Sequence, residues 1–179
     1  QIVMALESGD ELVGITKYCD KPNNQAKVVA DYIDINVEEV IKLNPDLILT
    51  SRENSKEVQF NQVRAAKQKI QLFNFQSFGH FLNSLVEIGQ ALGKLKEATL
   101  MRVDLEMKLK DLQKQAEPFA GKKFAAVVQR KPLMLASGGT YIDDLITKLG
   151  LVNIEAKNHV AYPILNPEDL KAKNPDYVL

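Results

Sequence analysis

The chain has 179 residues, 45% of them hydrophobic, with 23 basic and 23 acidic side chains and a formal net charge of zero. One or two small lobes with true cores fit that length, while balanced charge argues against a nucleic-acid or polyanionic partner. No apolar run reaches the roughly 18 residues that span a bilayer, and one cysteine, Cys19, excludes an intramolecular disulfide or a thiolate metal cage.

Along the chain, Leu12–Thr16 reads as a strand and the residues after Asn36 as a short helix. A strand Leu47–Thr50, a helix from about Val58 to Lys69 and a strand Ile70–Phe75 follow. Strands separated by helical patterns predict βα units and a mostly parallel sheet. Residues 78–92 are helical, and Gly93 interrupts them. From Lys94 to Glu117 the residues Ala98, Met101, Leu105, Leu109, Leu112 and Ala116 recur at spacings of three and four, predicting one amphipathic helix of about 35 Å. Pro118 and Gly121 end it. Beyond it lie a strand Phe124–Val128, a strand Leu133–Ala136, a helix Tyr141–Lys148 and a strand Leu151–Ile154. The expected architecture is α/β: two Rossmann-like lobes with mostly parallel sheets joined by one long helix. The boundaries are 1–80 for the first lobe, 81–118 for the helical linker and 119–179 for the second lobe.

One segment occurs twice. Tyr32–Leu49 aligns without a gap to Tyr162–Leu179, with seven identical positions among eighteen. Asn36 and Asn166 stand as N-caps, with Glu39 and Asp169 three residues later in an arrangement close to a capping box. Ile35 with Val40, and Leu165 with Leu170, occupy the hydrophobic-staple positions. Pro167 sits at the first helical position, and Asn-Pro-Asp then turns each copy into an apolar strand. A unit repeated at this distance implies two similar lobes rather than a solenoid. Such a molecule grips a ligand between lobes or meets a two-fold symmetric partner.

The stretch Leu12-Val-Gly-Ile-Thr-Lys-Tyr-Cys-Asp-Lys-Pro22, the Tyr32–Asn36 segment, Leu-Asn-Pro-Asp-Leu-Ile-Leu, the long helix and Ser137-Gly-Gly-Thr-Tyr-Ile-Asp-Asp-Leu occur in a telling order. Together they resemble the helical-backbone periplasmic substrate-binding proteins of ABC importers, which carry cobalamin, haem and ferric siderophores. Tyr-Cys-Asp-x-Pro is most similar to the vitamin B12 branch. Family members extend further at both ends, so the second lobe is expected to be incomplete. The resemblance implies a ligand in the cleft between lobes, on loops that follow the strands. It places Tyr18, Tyr32 and Tyr162 as aromatic faces for a large macrocycle. Ser51 and Arg52 fall where cobalamin binders often place a tryptophan, and this chain has none. Arg52 suits an anionic ligand, and Gln129, Arg130 and Lys131 occupy the corresponding loop of the second lobe. Half-buried structural tyrosines and solvated loop charges are the plainer alternatives.

Glu38 and Glu168 match the exposed glutamates that the family docks onto arginines of a dimeric membrane permease, although the helix dipole alone favours acids there. His80 and His159 lack metal-ligand spacing, so no metal site is expected, and Cys19 reads as a small packed residue. No catalytic pattern is visible. A monomeric, non-enzymatic receptor without cofactor is therefore expected, periplasmic or lipid-anchored, delivering a corrinoid, or a ferric siderophore or haem. An α/β enzyme and a ligand-free surface module are the other classes.

Overall fold

The computed structural model describes residues 1–20, 25–31, 34–51 and 57–179, which divide into two compact units. The first comprises Gln1–Asn74 and Asn83–Met101, the second Phe75–Leu82 and Arg102–Leu179.

In the first unit a short helix α1 (Ile2–Ala5) and a 3-10 turn (Gly9–Glu11) lead into strand β1 (Gly14–Thr16). Strand β2 (Lys27–Ala30) pairs parallel with it. Helix α2 (Val37–Leu43) follows, then strand β3 (Ile48–Ser51), helix α3 (Glu57–Ala65) and strand β4 (Ile70–Phe73). Strands β3 and β4 run parallel, in register from Ile48 opposite Ile70 to Ser51 opposite Phe73. The buried side chains include Leu6, Val40, Phe60, Val63, Phe73, Leu85 and Ile88. Helix α4 (Phe78–Ala91) and helix α5 (Leu95–Ala116) follow, and the first unit holds the end of α4 from Asn83 and the start of α5 to Met101. Their backbones come close where Gly89 meets Ala98: a Cβ on Gly89 would lie 2.3 Å from the Ala98 Cβ. Only hydrogen fits at that position.

In the second unit strand β5 (Lys123–Ala125) is the centre of a three-stranded parallel sheet. Strands β6 (Val127–Arg130) and β7 (Leu133–Leu135) form an antiparallel hairpin. Helix α6 (Tyr141–Lys148), strand β8 (Val152–Asn153), helix α7 (Pro167–Ala172) and strand β9 (Tyr177–Val178) follow, with β8 and β9 flanking β5. Ala126, Ala136 and Ile146 form a buried cluster with Ile142 and Leu151 against it. Phe124 stacks on Tyr177 at 4.9 Å between centroids. Asp144 of α6 accepts a 2.8 Å bond from the Phe78 N–H, capping the start of α4 from a distant part of the sequence.

The α/β class, the parallel pairings and the long helix match the expectation. The finer differences have physical reasons. Phe124–Val128, expected as one strand, is two: β5 serves the parallel sheet, and after Ala126 the chain turns into the hairpin. An apolar run gives no sign of a change of partner. The short elements α1 and β2 are additions to the expected set, and among the described residues the first unit's strands form two separate pairs rather than one sheet.

The repeated segment folds as its pattern predicts. The Asn36 Oδ1 accepts from the Glu39 N–H at 3.0 Å, and the Asn166 Oδ1 from the Asp169 N–H at 2.7 Å. Asn44 and Asn174 both take left-handed φ, 44° and 46°, at the helix exits. The capping box itself is not reciprocal in the first copy. The Asn36 N–H goes to the Val29 carbonyl at 2.8 Å, and the Glu39 carboxylate pairs with Lys27 at 3.1 Å.

Candidate functional site

In open α/β sheets, ligands gather outside the carboxyl ends of parallel strands. In the first unit Lys17 and Tyr18 follow β1, Asp31 follows β2, and Ser51 closes β3. Tyr18 is 65% exposed, and the Lys17 ammonium stands 4.9 Å from its ring centroid. Lys17 also pairs with the Asp31 carboxylate, which holds the ammonium above the usual lysine range. Lys17 and Asp31 border an open depression of about 430 Å³, shared with Val28, Asp34 and Asn36. Ser51 is half-buried opposite Phe73. Tyr32 and Arg52 lie outside the described residues. The Cys19 thiol is half-buried, 3.2 Å from the Thr16 hydroxyl.

In the second unit Tyr162 is 47% exposed on a segment pinned on both sides. The Ser137 N–H bonds to the Ala161 carbonyl at 3.1 Å, and the Leu135 N–H to the Pro163 carbonyl at 3.1 Å. Backbone fixed in this way presents a ring without freezing much additional chain. Arg130 is exposed at the end of β6, and Gln129 donates to the Lys131 carbonyl at 2.9 Å within the hairpin turn.

The two candidate docking glutamates are both exposed in the first turns of α2 and α7. They differ in surroundings. Lys42, one turn on, lies 2.9 Å from Glu38, and its hydrogen bond and charge hold that carboxyl below the usual range. The matching place after Glu168 is Ala172. His80 bonds through Nδ1 to the Ser77 hydroxyl at 3.0 Å, next to the start of α4. Among the described residues no group of three His, Cys, Asp or Glu side chains could hold a metal. No helix of the described residues is long and apolar enough to cross a membrane.

Sequence reasoning missed Lys17, Asp31 and Glu155. Lys17 and Asp31 are fourteen residues apart and meet only because β1 and β2 pair in parallel, so no local pattern announces them. Glu155, just beyond β8, is 3% exposed and ion-paired with Lys173. A lone glutamate in a loop reads as solvated unless its burial is known.

The profile of the periplasmic binding protein family matches residues 1–179, the whole chain. The chain belongs to the periplasmic binding protein family. A substrate-binding lipoprotein of an ABC transporter from Bacillus subtilis is 28% identical over 100% of this chain and 59% of its own length. A vitamin B12-binding protein of Vibrio cholerae is 26% identical over 99% of this chain and 65% of its own length. The chain thus spans about 59–65% of these curated relatives. The crystal structure of a periplasmic vitamin B12 binding protein of Vibrio cholerae superposes with a TM-score of 0.87 at 22% identity, covering 99% of this chain and 70% of that one. At that identity the likeness concerns the fold of this family member.

Proposed function

We propose that this periplasmic binding protein is the substrate-binding component of an ABC importer, taking up cobalamin or a similar corrinoid and handing it to a membrane permease. The observation that carries the reading is the match to the family over the whole chain. Tyr18 beside the carboxyl end of β1, and Tyr162 on its pinned segment, supply exposed aromatic faces of the kind a large, largely apolar macrocycle needs. Ser51 and Arg130 would add polar contacts, joined by Tyr32 and Arg52. The protein would act as a monomer outside the cytoplasm, free in the periplasm or held by lipid. It would return its ligand chemically unchanged, without catalysis and without a cofactor or metal of its own.

A ferric siderophore or haem is the second reading. It is favoured by the absence of tryptophan and by the cations Arg52 and Arg130, which suit carboxylate-bearing ligands.

Delivery would use Glu38 and Glu168, equivalent positions of the repeat, to meet the two-fold symmetric permease. Exposed ion pairs contribute only about 0.2–1 kcal/mol each, but more where an interface desolvates them. The Glu38→Gln, Glu168→Gln double variant should therefore keep ligand affinity and lose transport in reconstituted permease vesicles, with the single variants intermediate. Full transport by the double variant would remove the docking role. Lost ligand affinity would instead place these glutamates at the ligand.

A further inference from the structure

Lys17 and Tyr18 occupy the two corner positions of the turn that follows β1. The Cys19 N–H closes that turn on the Thr16 carbonyl at 3.1 Å, and the Thr16 hydroxyl stands 3.2 Å from the Cys19 sulfur. The Lys17 N–H bonds to the Ala30 carbonyl of β2 at 3.0 Å. Asp31, the next residue, donates its own N–H to the Asp34 carbonyl at 2.8 Å. The parallel pairing that sets Thr16 opposite Ala30 therefore fixes the backbone at both ends of the Lys17–Asp31 ion pair.

The side chains need a separate account. Tyr18 is 65% exposed at its turn corner, and an exposed ring changes rotamer within picoseconds to nanoseconds unless a neighbour holds it. A ligand that uses such a ring must first order it, which costs affinity. The Lys17 ammonium stands over the ring at 4.9 Å from its centroid, inside the reach of about 6 Å for a cation–π contact. Lysine alone is too flexible to hold that position, because its stem carries large rotamer entropy. The Asp31 carboxylate removes this freedom: it grips the ammonium from the end of β2. The contacts thus run from Asp31 through Lys17 to the ring.

We propose that Lys17, held by Asp31, is a positioning residue that orders the Tyr18 ring before the ligand arrives. The proposal rests on the reading of Tyr18 as a corrinoid contact, and a measurement without ligand separates the two. A pair that only fastened β1 to β2 would change stability and leave the ring's motion alone.

The chain has no tryptophan, so Tyr18→Trp places a single indole at this corner, and indole is the best cation–π partner. Time-resolved fluorescence anisotropy of the ligand-free, full-length protein should show a restricted indole in Tyr18→Trp. Adding Lys17→Met or Asp31→Asn should release it into nanosecond motion, whereas Lys17→Arg should keep it restricted. Cobalamin titration then reads affinity in the protein with its tyrosine. Lys17→Met should weaken binding about threefold through the lost ordering, and Lys17→Arg should stay close to wild type. Added to Tyr18→Ala, Lys17→Met should cause no further loss, because it acts through the ring. Thermal melts establish that each variant is folded, and Asp31→Asn carries the same test if Lys17→Met is not. Unchanged indole motion in both variants overturns the proposal, as does an affinity loss from Lys17→Met that is equal with and without the Tyr18 ring. A protein that ignores cobalamin while Lys17→Met still frees the indole sinks the corrinoid reading and upholds the positioning role.

Discussion

The loop Ser137–Thr140 between β7 and α6 allows a sharp test of the packing described above. Gly138 donates its N–H to the Glu155 carbonyl at 3.1 Å, which draws two loops of the second unit together. A Cβ on Gly138 would lie 2.0 Å from the Ala156 carbonyl oxygen and 2.9 Å from its carbon. Those atoms are backbone, so no rotamer change relieves the clash, and one loop must move and lose the bond. Overpacking of this kind costs typically 1–3 kcal/mol, and the rigid obstacle puts Gly138→Ala at the upper end. For a chain of this size each kcal/mol shifts the melting temperature by roughly 2–4 °C, so a loss of roughly 6–12 °C is expected. Gly139 is the control: its φ is +77°, but a Cβ there would meet no atom within 4 Å. Gly139→Ala should incur only the left-handed backbone penalty, about 1–2 kcal/mol. Ala156→Gly should not rescue Gly138→Ala, because the obstructing atom is a carbonyl oxygen. Calorimetric melts and urea midpoints read all four proteins. A Gly138→Ala protein as stable as wild type, or less perturbed than Gly139→Ala, would refute the reasoning.

Asn36→Ala and Asn166→Ala each remove a side-chain cap and should each cost about 1 kcal/mol in denaturant unfolding, with additive effects because the two caps share no partner. Asp176 accepts the Lys123 N–H at 2.7 Å, and this bond, with Lys122 nearby, holds its carboxyl below the usual aspartate range. Its folded value is depressed, so its stabilisation is present above the unfolded aspartate value, about 4, and is lost as pH falls through the folded one. The melting-temperature gap between wild type and Asp176→Asn should accordingly narrow on acidification, and a gap that widens contradicts the assignment. Tyr18→Ala and Tyr162→Ala remove exposed rings, so stability should stay within about 0.5 kcal/mol. Corrinoid affinity by fluorescence or calorimetry should fall about tenfold in each.

What could be read in the sequence was local. Asn36 and Asn166 declare themselves because a cap bonds to an N–H three residues away, and the Asn-Pro-Asp exits recur with the same left-handed asparagine. Helix α6, expected at Tyr141–Lys148, has those bounds, since Thr140 caps it and Gly150 lies just beyond its end. Strand β2 escapes a sequence reading because Lys27-Val-Val-Ala30 is too short to show a period. The break between β5 and β6 depends on which neighbour each half pairs with. The candidate site divides in the same way. Tyr18 and Tyr162 could be named from motif and repeat, and both are exposed. The Lys17–Asp31 pair and the buried Glu155 exist only through contacts distant in sequence. The Asp144 bond to the start of α4 spans 66 residues and left no local trace.

The central claim is that this family member is a receptor for a corrinoid. It is tested most directly by calorimetric titration of the full-length protein with cobalamin, haem, a ferric siderophore and Zn²⁺ in parallel. The account predicts saturable cobalamin binding and none of Zn²⁺, with a gain of about 2.7 kcal/mol in unfolding free energy at 100 times the dissociation constant. Tight Zn²⁺ binding, or a response to haem or the siderophore with none to cobalamin, would contradict it.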